Sequence, residues 1–188
     1  MLNRVDSKLK VAVILLAGMA VAARLLPHAP NLALLGTLAF VSGRYWPRAS
    51  RWLPLGVAIL TDWAIGFYSW PVMLSVWFCY LLTANLGKLT HNVSLRPVSW
   101  RPTVSVVALT LIGSALFFLI TNTAVWAAGW YPPTLNGWWM SLVNALPFAR
   151  NTFVSDLSYT VIAIAAIEGL MAVRLTNRHP ALVTRTNR

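Results

Sequence analysis

The sequence predicts an all-α integral membrane protein: a single domain, residues 1–188, with six transmembrane helices and both termini on the cytoplasmic side. Three observations lead to this prediction. Of the 188 residues, 58% are hydrophobic and only 10% are charged, a composition typical of a chain surrounded mostly by lipid. The apolar residues fall into six long runs, and the basic residues gather between alternate runs.

Prolines and basic residues separate the six apolar runs. In chain order the runs cover 9–26, 31–46, 52–68, 70–88, 103–126 and 151–173. The first run stops before Pro27 and the second before Pro47. Pro54 falls in the first turn of the third run, where a missing amide hydrogen is tolerated. Several runs are close to the lower limit of about 17 residues for crossing a bilayer, so we expect tilted or half-buried helices.

The first run also has the layout of a secretion signal. Arg4, Lys8 and Lys10 precede the apolar stretch, and the small residues Ala20 and Ala22 follow within it. A cleaved signal peptide is therefore the alternative interpretation. We expect the segment to be retained as the first span.

The basic residues assign an orientation to the spans. With the N-terminus inside, one side of the membrane receives 13 of the 15 lysines and arginines, and the other keeps only Arg24 and Arg150. Because lysine and arginine are enriched in cytoplasmic loops, the crowded side is predicted to be cytoplasmic. The pattern indicates a multi-pass membrane protein with residues 174–188 as a cytoplasmic tail, and the family resemblance described below implies a bacterial inner membrane.

The net charge of +11 does not indicate a nucleic-acid partner. The basic residues come in small clusters between apolar runs, and no basic helix carries the interleaved aromatic residues of an RNA or DNA reader. The lipid bilayer is the partner that this pattern predicts. The single cysteine, Cys79, excludes an internal disulfide and a Cys-x-x-Cys pair.

An aromatic segment, residues 127–150, separates the fifth and sixth spans on the outer side. Within it, residues 134–146 can form a short helix with Thr134 as its N-cap. Its tryptophans would hold that helix at the membrane interface. The segment is either an aromatic belt that anchors the protein or a lid over a cavity that opens outward. The spacing of its aromatic residues favours the belt.

Two of the four acidic residues lie inside predicted spans, near the outer surface. Asp62 falls in the outer half of the third span, and Asp156 lies about one and a half turns into the sixth. Such groups usually face a bundle interior or a wet cavity. The two acids either pair with Arg24, Arg150 or nearby asparagines, or line a polar pocket, and both interpretations stay open. Glu168, near the cytoplasmic end, is predicted to be an interfacial ion-pair partner.

Cys79 lies midway along the fourth span, about 13 Å from either boundary. A buried free cysteine is usually an inert packing residue, unless a metal coordinates and deprotonates it. No second protein ligand stands at metal-binding spacing, and His28, between two prolines, is more typical of a hydrogen-bonding residue. We expect no metal chelated by the protein itself. A metal at Cys79 would have to arrive inside its own chelator, such as a macrocycle with a free axial position.

These features resemble the substrate-binding S-components of energy-coupling factor (ECF) vitamin transporters. The chain is most similar to the solitary ECF-type cobalamin (vitamin B12) transporters of the BtuM family, over most of residues 9–173. The resemblance rests on Asp156 and on five segments: RLLPHAPN at 24–31, TDWAIG at 61–66, TNTAVW at 121–126, YPPT at 131–134 and PFARN at 147–151.

The resemblance implies binding and uptake of cobalamin through a cavity open to the periplasm. Cys79 matches the family's axial cobalt ligand, which implies base-off binding and loss of cyanide from cyanocobalamin. Carried over on the quoted segments, the candidate substrate-binding residues are His28, Asp62, Asn122, Tyr131, Arg150 and Asp156. Proteins of this fold work with an ECF-type energising module, although nothing in this chain encodes one.

Two other functions remain open at the level of the sequence. The chain could be an S-component for a different vitamin, with Cys79 as a packing residue. It could also be a membrane-embedded thiol enzyme or a structural subunit, which would not move its substrate across a bilayer.

Overall fold

The computed structural model describes residues 7–27, 34–91 and 100–178, and the regular structure of these residues is entirely helical. The helices are α1 (Ser7–Leu25), α2 (Leu35–Tyr45), α3 (Trp52–Ile65), α4 (Trp70–Leu89), α5 (Trp100–Val125) and α6 (Leu135–Arg178). A π-helical turn, Trp126–Trp130, follows α5. His28, the first residues of the second predicted span and the end of the predicted tail lie outside the described residues.

Three of the described helical segments are long and apolar enough to cross a membrane. They are Trp70–Leu89, Thr103–Trp130 and Leu135–Met171, and the apolar segment Trp52–Ile65 is shorter. A helix needs about 20 predominantly apolar residues to span the hydrocarbon core. The described residues form a helical protein. The length and composition of these three segments indicate that it is embedded in a membrane. The number of passes stays a prediction.

Several helix ends are shifted by a few residues from the predicted boundaries, and two differences bear on the site. The third helix ends at Ile65 rather than 68, because Gly66 leaves the helix with a φ of 112°, a conformation that favours glycine. In addition, most of the predicted outer segment belongs to the 44-residue helix α6, which continues through Pro147. At 1.5 Å per residue this helix is about 66 Å long, roughly twice the hydrocarbon thickness.

The predicted N-cap at Thr134 is confirmed. The Thr134 hydroxyl accepts a hydrogen bond of 3.1 Å from the backbone N–H of Gly137, and α6 begins at the next residue, Leu135. The first part of α6 also packs on the end of α5, because the Trp138 indole donates to the Thr123 hydroxyl at 3.0 Å. The start of α6 is therefore held against α5 by side-chain hydrogen bonds.

Helix α2 lies at the centre of the bundle. Ten of its 11 residues are buried, and a helix that is buried on all sides belongs to a core. It crosses α4 closely at two glycines: a Cβ at Gly43 would overlap the backbone of Ala84, and a Cβ at Gly87 would overlap the carbonyl of Phe40. Backbone therefore meets backbone at this crossing.

Replacing Gly87 by alanine is expected to separate α2 from α4, because a backbone carbonyl cannot move aside as a flexible side chain can. We expect the variant to lose about 1–3 kcal/mol of stability, measured by thermal unfolding in detergent. Gly56→Ala in α3 is the matched control, since nothing lies within 4 Å of its Cβ position. There alanine should hold or raise stability by up to ~1 kcal/mol. Equal stability of the two variants would contradict the close crossing.

Side-chain contacts show which helix ends meet at the same end of the bundle. Lys10 Nζ lies 5.6 Å from the ring centre of Trp46, which joins the start of α1 to the end of α2. Arg44 donates to the carbonyl of Thr90, and Tyr45 donates to Glu168 at 2.8 Å. The start of α1 and the ends of α2 and α4 therefore meet at one place, with the later part of α6. We call this the basic end. We call the opposite end, which holds the cavity described below, the cavity end.

The predicted ion pair of Glu168 is present at the basic end. Its carboxylate lies 3.6 Å from Nη2 of Arg44, whose side chain is only 3% exposed. The Tyr45 hydroxyl donates to the same carboxylate oxygen. This cluster ties α2 to α6 at the end of the bundle away from the cavity.

Candidate functional site: a cavity contributed by all six helices

A cavity of about 360 Å³ opens among the helices at the cavity end. Its walls come from every helix of the bundle and from the 66–69 connection. The lining residues are Arg24, Gly36, Ile65, Tyr68, Val76, Tyr80, Thr83, Phe117, Thr152 and Asp156. The size lies in the lower part of the ~300–1,000 Å³ range of small-molecule sites. One cation, one acid, three aromatic rings and two threonine hydroxyls face the same space.

A second cavity of about 190 Å³ adjoins the first between α4, α5 and α6. The two share Val76, Phe117 and Thr152 as lining residues. Of the predicted substrate-binding residues, Asn122 lines this second cavity. Its side-chain amide donates to the carbonyl of Phe118 at 2.7 Å, so its position is fixed by the helix on which it lies.

Asp62 holds Arg24 in the wall of the larger cavity. Its Oδ1 accepts from Nη2 of Arg24 at 2.5 Å, and its Oδ2 accepts from the Trp77 indole at 2.7 Å. Asp62 itself is 1% exposed and is not among the lining residues. Of its two open interpretations, the pairing with Arg24 is the one observed, and it places the guanidinium at the cavity surface.

Arg24 receives further support from the adjacent turn of α3. Its Nη1 donates to the hydroxyl of Thr61 at 2.9 Å and lies 3.4 Å from the carbonyl of Ala58. An arginine fork held at several points keeps a defined direction. The cation is therefore positioned rather than mobile, with its charge balanced by Asp62.

Asp156 lines the cavity from α6. Its Oδ2 accepts from the hydroxyl of Ser114 on α5 at 2.8 Å. The carboxylate also lies directly against Gly36 of α2, where an added Cβ would overlap it. The absence of a side chain at position 36 makes room for the carboxyl group of Asp156. Among the described residues, no lysine, arginine or histidine nitrogen lies within 4 Å of that carboxyl group.

Cys79 is buried and free, with 1% of its surface exposed. It does not line either cavity. On α4, however, it lies one turn from Val76 and one turn from Thr83, and it is adjacent to Tyr80, all three of which line the larger cavity. Cys79 therefore lies on the side of α4 that carries these lining residues, but its own side chain is buried and is not part of the lining.

Two other predicted site residues lie away from the cavities. Tyr131 follows the π-helical turn, and its hydroxyl accepts from the Asn144 amide at 3.3 Å. Arg150 is exposed on α6, and it lines neither cavity. The structure thus brings Asp156 and Arg24 together at one cavity, with Asn122 in the adjoining one, and leaves Tyr131 and Arg150 outside.

The sequence prediction did not name most of the wall. Tyr68, Tyr80, Thr83 and Phe117 had no motif or charge to single them out. Arg24 carries a signal, since it is one of two basic residues on the predicted outer side, but the sequence predicts it only as an ion-pair partner. In the part of the chain that the structure describes, no group of three or more His, Cys, Asp or Glu residues could hold a metal ion.

Comparisons with known proteins place the chain in a family. Residues 5–181 match a family of unknown function, DUF6580. Neither the curated proteins nor the solved structures provide a match. Because the match covers nearly the whole chain, this membrane-embedded helical bundle belongs to the family DUF6580.

Proposed function

We propose that this protein binds cobalamin at the cavity, which must widen to admit a corrin ring, and carries it across a bacterial inner membrane. The observation that carries the proposal is the position of Cys79: one turn from two lining residues of a cavity to which all six helices contribute. A single thiol at such a wall suits a metal that arrives in its own chelator, since thiolate is a soft ligand. The resemblance to the BtuM family supplies the identity of that chelate.

The orientation belongs to the same proposal. Six spans in an S-component-like bundle, with both termini cytoplasmic, would place the basic end inside and the cavity end toward the periplasm. The sorting of Lys10, Arg44 and Lys88 to one end, and of Arg24 to the other, supports this orientation. The cavity would then receive its cargo from outside. An ECF-type energising module is the partner that the same resemblance suggests.

Binding would join the cobalt of the cargo to the sulfur of Cys79. The thiol is buried and outside the cavity lining, so a local rearrangement of α4 or its neighbours would have to expose the sulfur to the cargo. The thiolate would replace the nucleotide base on one axial face of the cobalt. It would donate electron density through the metal and weaken the bond to the ligand on the opposite face.

One alternative has an observation in its favour. Cys79 is covered, and the cavity is near the small end of ligand sites, as expected for an S-component that takes a smaller vitamin and uses Cys79 only for packing. Colour separates the two possibilities. Protein purified from cells grown with cobalamin should be pink to red with the visible absorbance of a corrinoid, whereas a carrier of a smaller vitamin should lack that corrinoid absorbance.

Uptake tests the transport function directly. Cells that lack their own cobalamin uptake should grow on limiting cobalamin when they express this chain, and membrane vesicles should accumulate labelled cobalamin. A thiol enzyme would convert its substrate in detergent without such accumulation. Growth no better than that of cells without the chain would overturn the proposal.

A further inference from the structure

We infer that Asp156 is a proton-binding site of the cavity, whose proton is exchanged for an N–H donor of the cargo. The part of this inference that concerns the cargo rests on the proposed function. The proton site itself rests on the position of the carboxyl group in the described structure.

The cation that lines the cavity is already paired with an acid. Arg24 and Asp62 form a closed ion pair at 2.5 Å, so the guanidinium is already neutralised. Asp156 receives one hydrogen bond, from Ser114, and no cation of the described residues lies within 4 Å of it. An ionised carboxylate in a membrane-spanning helix without a cation is costly. With no such cation beside it, the carboxyl group of Asp156 is therefore expected to be protonated.

Each neighbouring element brings a group toward Asp156. Across the cavity, α1 presents Arg24 with Asp62 of α3 behind it, the 66–69 connection presents Tyr68, and α4 presents Tyr80. On the near side, α2 presents Gly36 and α5 presents Ser114, and neither titrates. The only cation in this set is the one that Asp62 holds.

The ionised and the protonated forms of Asp156 bind different groups of a cargo. A carboxylate accepts hydrogen bonds only, whereas a protonated acid uses one oxygen to donate. Carboxamide and other N–H donor groups therefore bind the ionised form better, and they supply the hydrogen bonds that the charged group needs. Cargo with such groups displaces the proton, so acidification weakens its binding by up to about tenfold per pH unit.

Infrared difference spectroscopy of the purified, cargo-free protein tests the proton site. Titration from alkaline to acidic pH should produce the C=O band of a protonated carboxylic acid, which Asp156→Asn removes and Glu168→Gln retains. Ser114→Ala should shift the frequency of the same band, because it removes the hydrogen bond to the carboxyl group. A band that persists unchanged in Asp156→Asn, or that is lost in Glu168→Gln, would overturn the assignment.

Cyanocobalamin binding across the same pH range tests the exchange. Affinity should fall on acidification for the unmodified protein and stay flatter for Asp156→Asn, and since both retain Cys79, the difference belongs to Asp156. Parallel pH profiles would overturn the exchange while leaving cobalamin binding intact. An infrared band that depends on Asp156, without cobalamin binding at any pH, would support the proton site and overturn the proposed cargo.

Discussion

Replacing Cys79 by alanine is expected to abolish the visible absorption change of cyanocobalamin on binding, together with any release of cyanide. The expected reaction is balanced without an oxidant or reductant. The thiol loses its proton, a sulfur–cobalt bond forms and the bond from cobalt to the nucleotide base breaks. Cyanide then leaves with its bonding electron pair and takes up a proton, while the cobalt keeps its oxidation state.

The effect should be a complete loss, because no second ligand of this kind is available. Cys79 is the only cysteine in the chain. Alanine also fits the site, since cysteine in a core behaves as a small apolar residue. Loss of the reaction with retained thermal stability would therefore reflect the missing sulfur and not a damaged fold.

Met73 provides the matched control for Cys79→Ala. It lies on the same helix, carries the other sulfur of α4 and is fully buried. Met73→Leu conserves volume and usually costs less than about 1.5 kcal/mol, so it should leave both the absorption change and cyanide release in place. Cyanide release by the alanine variant at the rate of the unmodified protein would rule out the axial role of Cys79.

Replacing Arg24 by methionine is expected to cause the largest loss of stability. Arg24 holds the buried carboxylate of Asp62 at 2.5 Å, and its removal leaves that acid without a cation. Breaking a buried pair from one side typically costs about 3–5 kcal/mol. Thermal unfolding in detergent measures the loss, and cobalamin affinity should also fall because the cavity wall loses its only lining cation among the described residues.

The double variant Arg24→Met, Asp62→Leu tests whether Arg24 and Asp62 stabilise the protein as an ion pair. Removing both charges leaves no unpaired acid, so the double variant should regain a large part of the stability lost by Arg24→Met alone. The Trp77 indole, which donates to Asp62, would lose its acceptor and limit the recovery. Additive losses in the double variant would contradict the pairing.

The sequence predicted those parts of the structure that composition and local chemistry determine. The apolar runs at 70–88 and 103–126 correspond to helices, and the Thr134 cap has a local pattern. Charge predicted the ion pair of Glu168 with Arg44, and of the interpretations left open, Asp62 shows pairing with Arg24 whereas Asp156 lines the cavity. These outcomes follow from the cost of an isolated charge in a low-dielectric medium.

The cavity wall could not be predicted in the same way. Tyr80, Thr83 and Phe117 become lining residues only because α2, α4 and α5 pack at particular rotations, and an apolar helix carries little periodicity to fix its rotation. The close crossing at Gly43 and Gly87 depends on which backbones meet. The continuation of α6 through Pro147 also runs against the local preference, because proline usually ends or kinks a helix.

X-ray absorption at the cobalt edge is the most direct test of whether the sulfur of Cys79 binds the cargo's cobalt. The purified protein with bound cobalamin should show one sulfur scatterer in the first coordination shell, and Cys79→Ala should show none. A cobalt shell made only of nitrogen, carbon and oxygen in the unmodified protein would contradict the proposal.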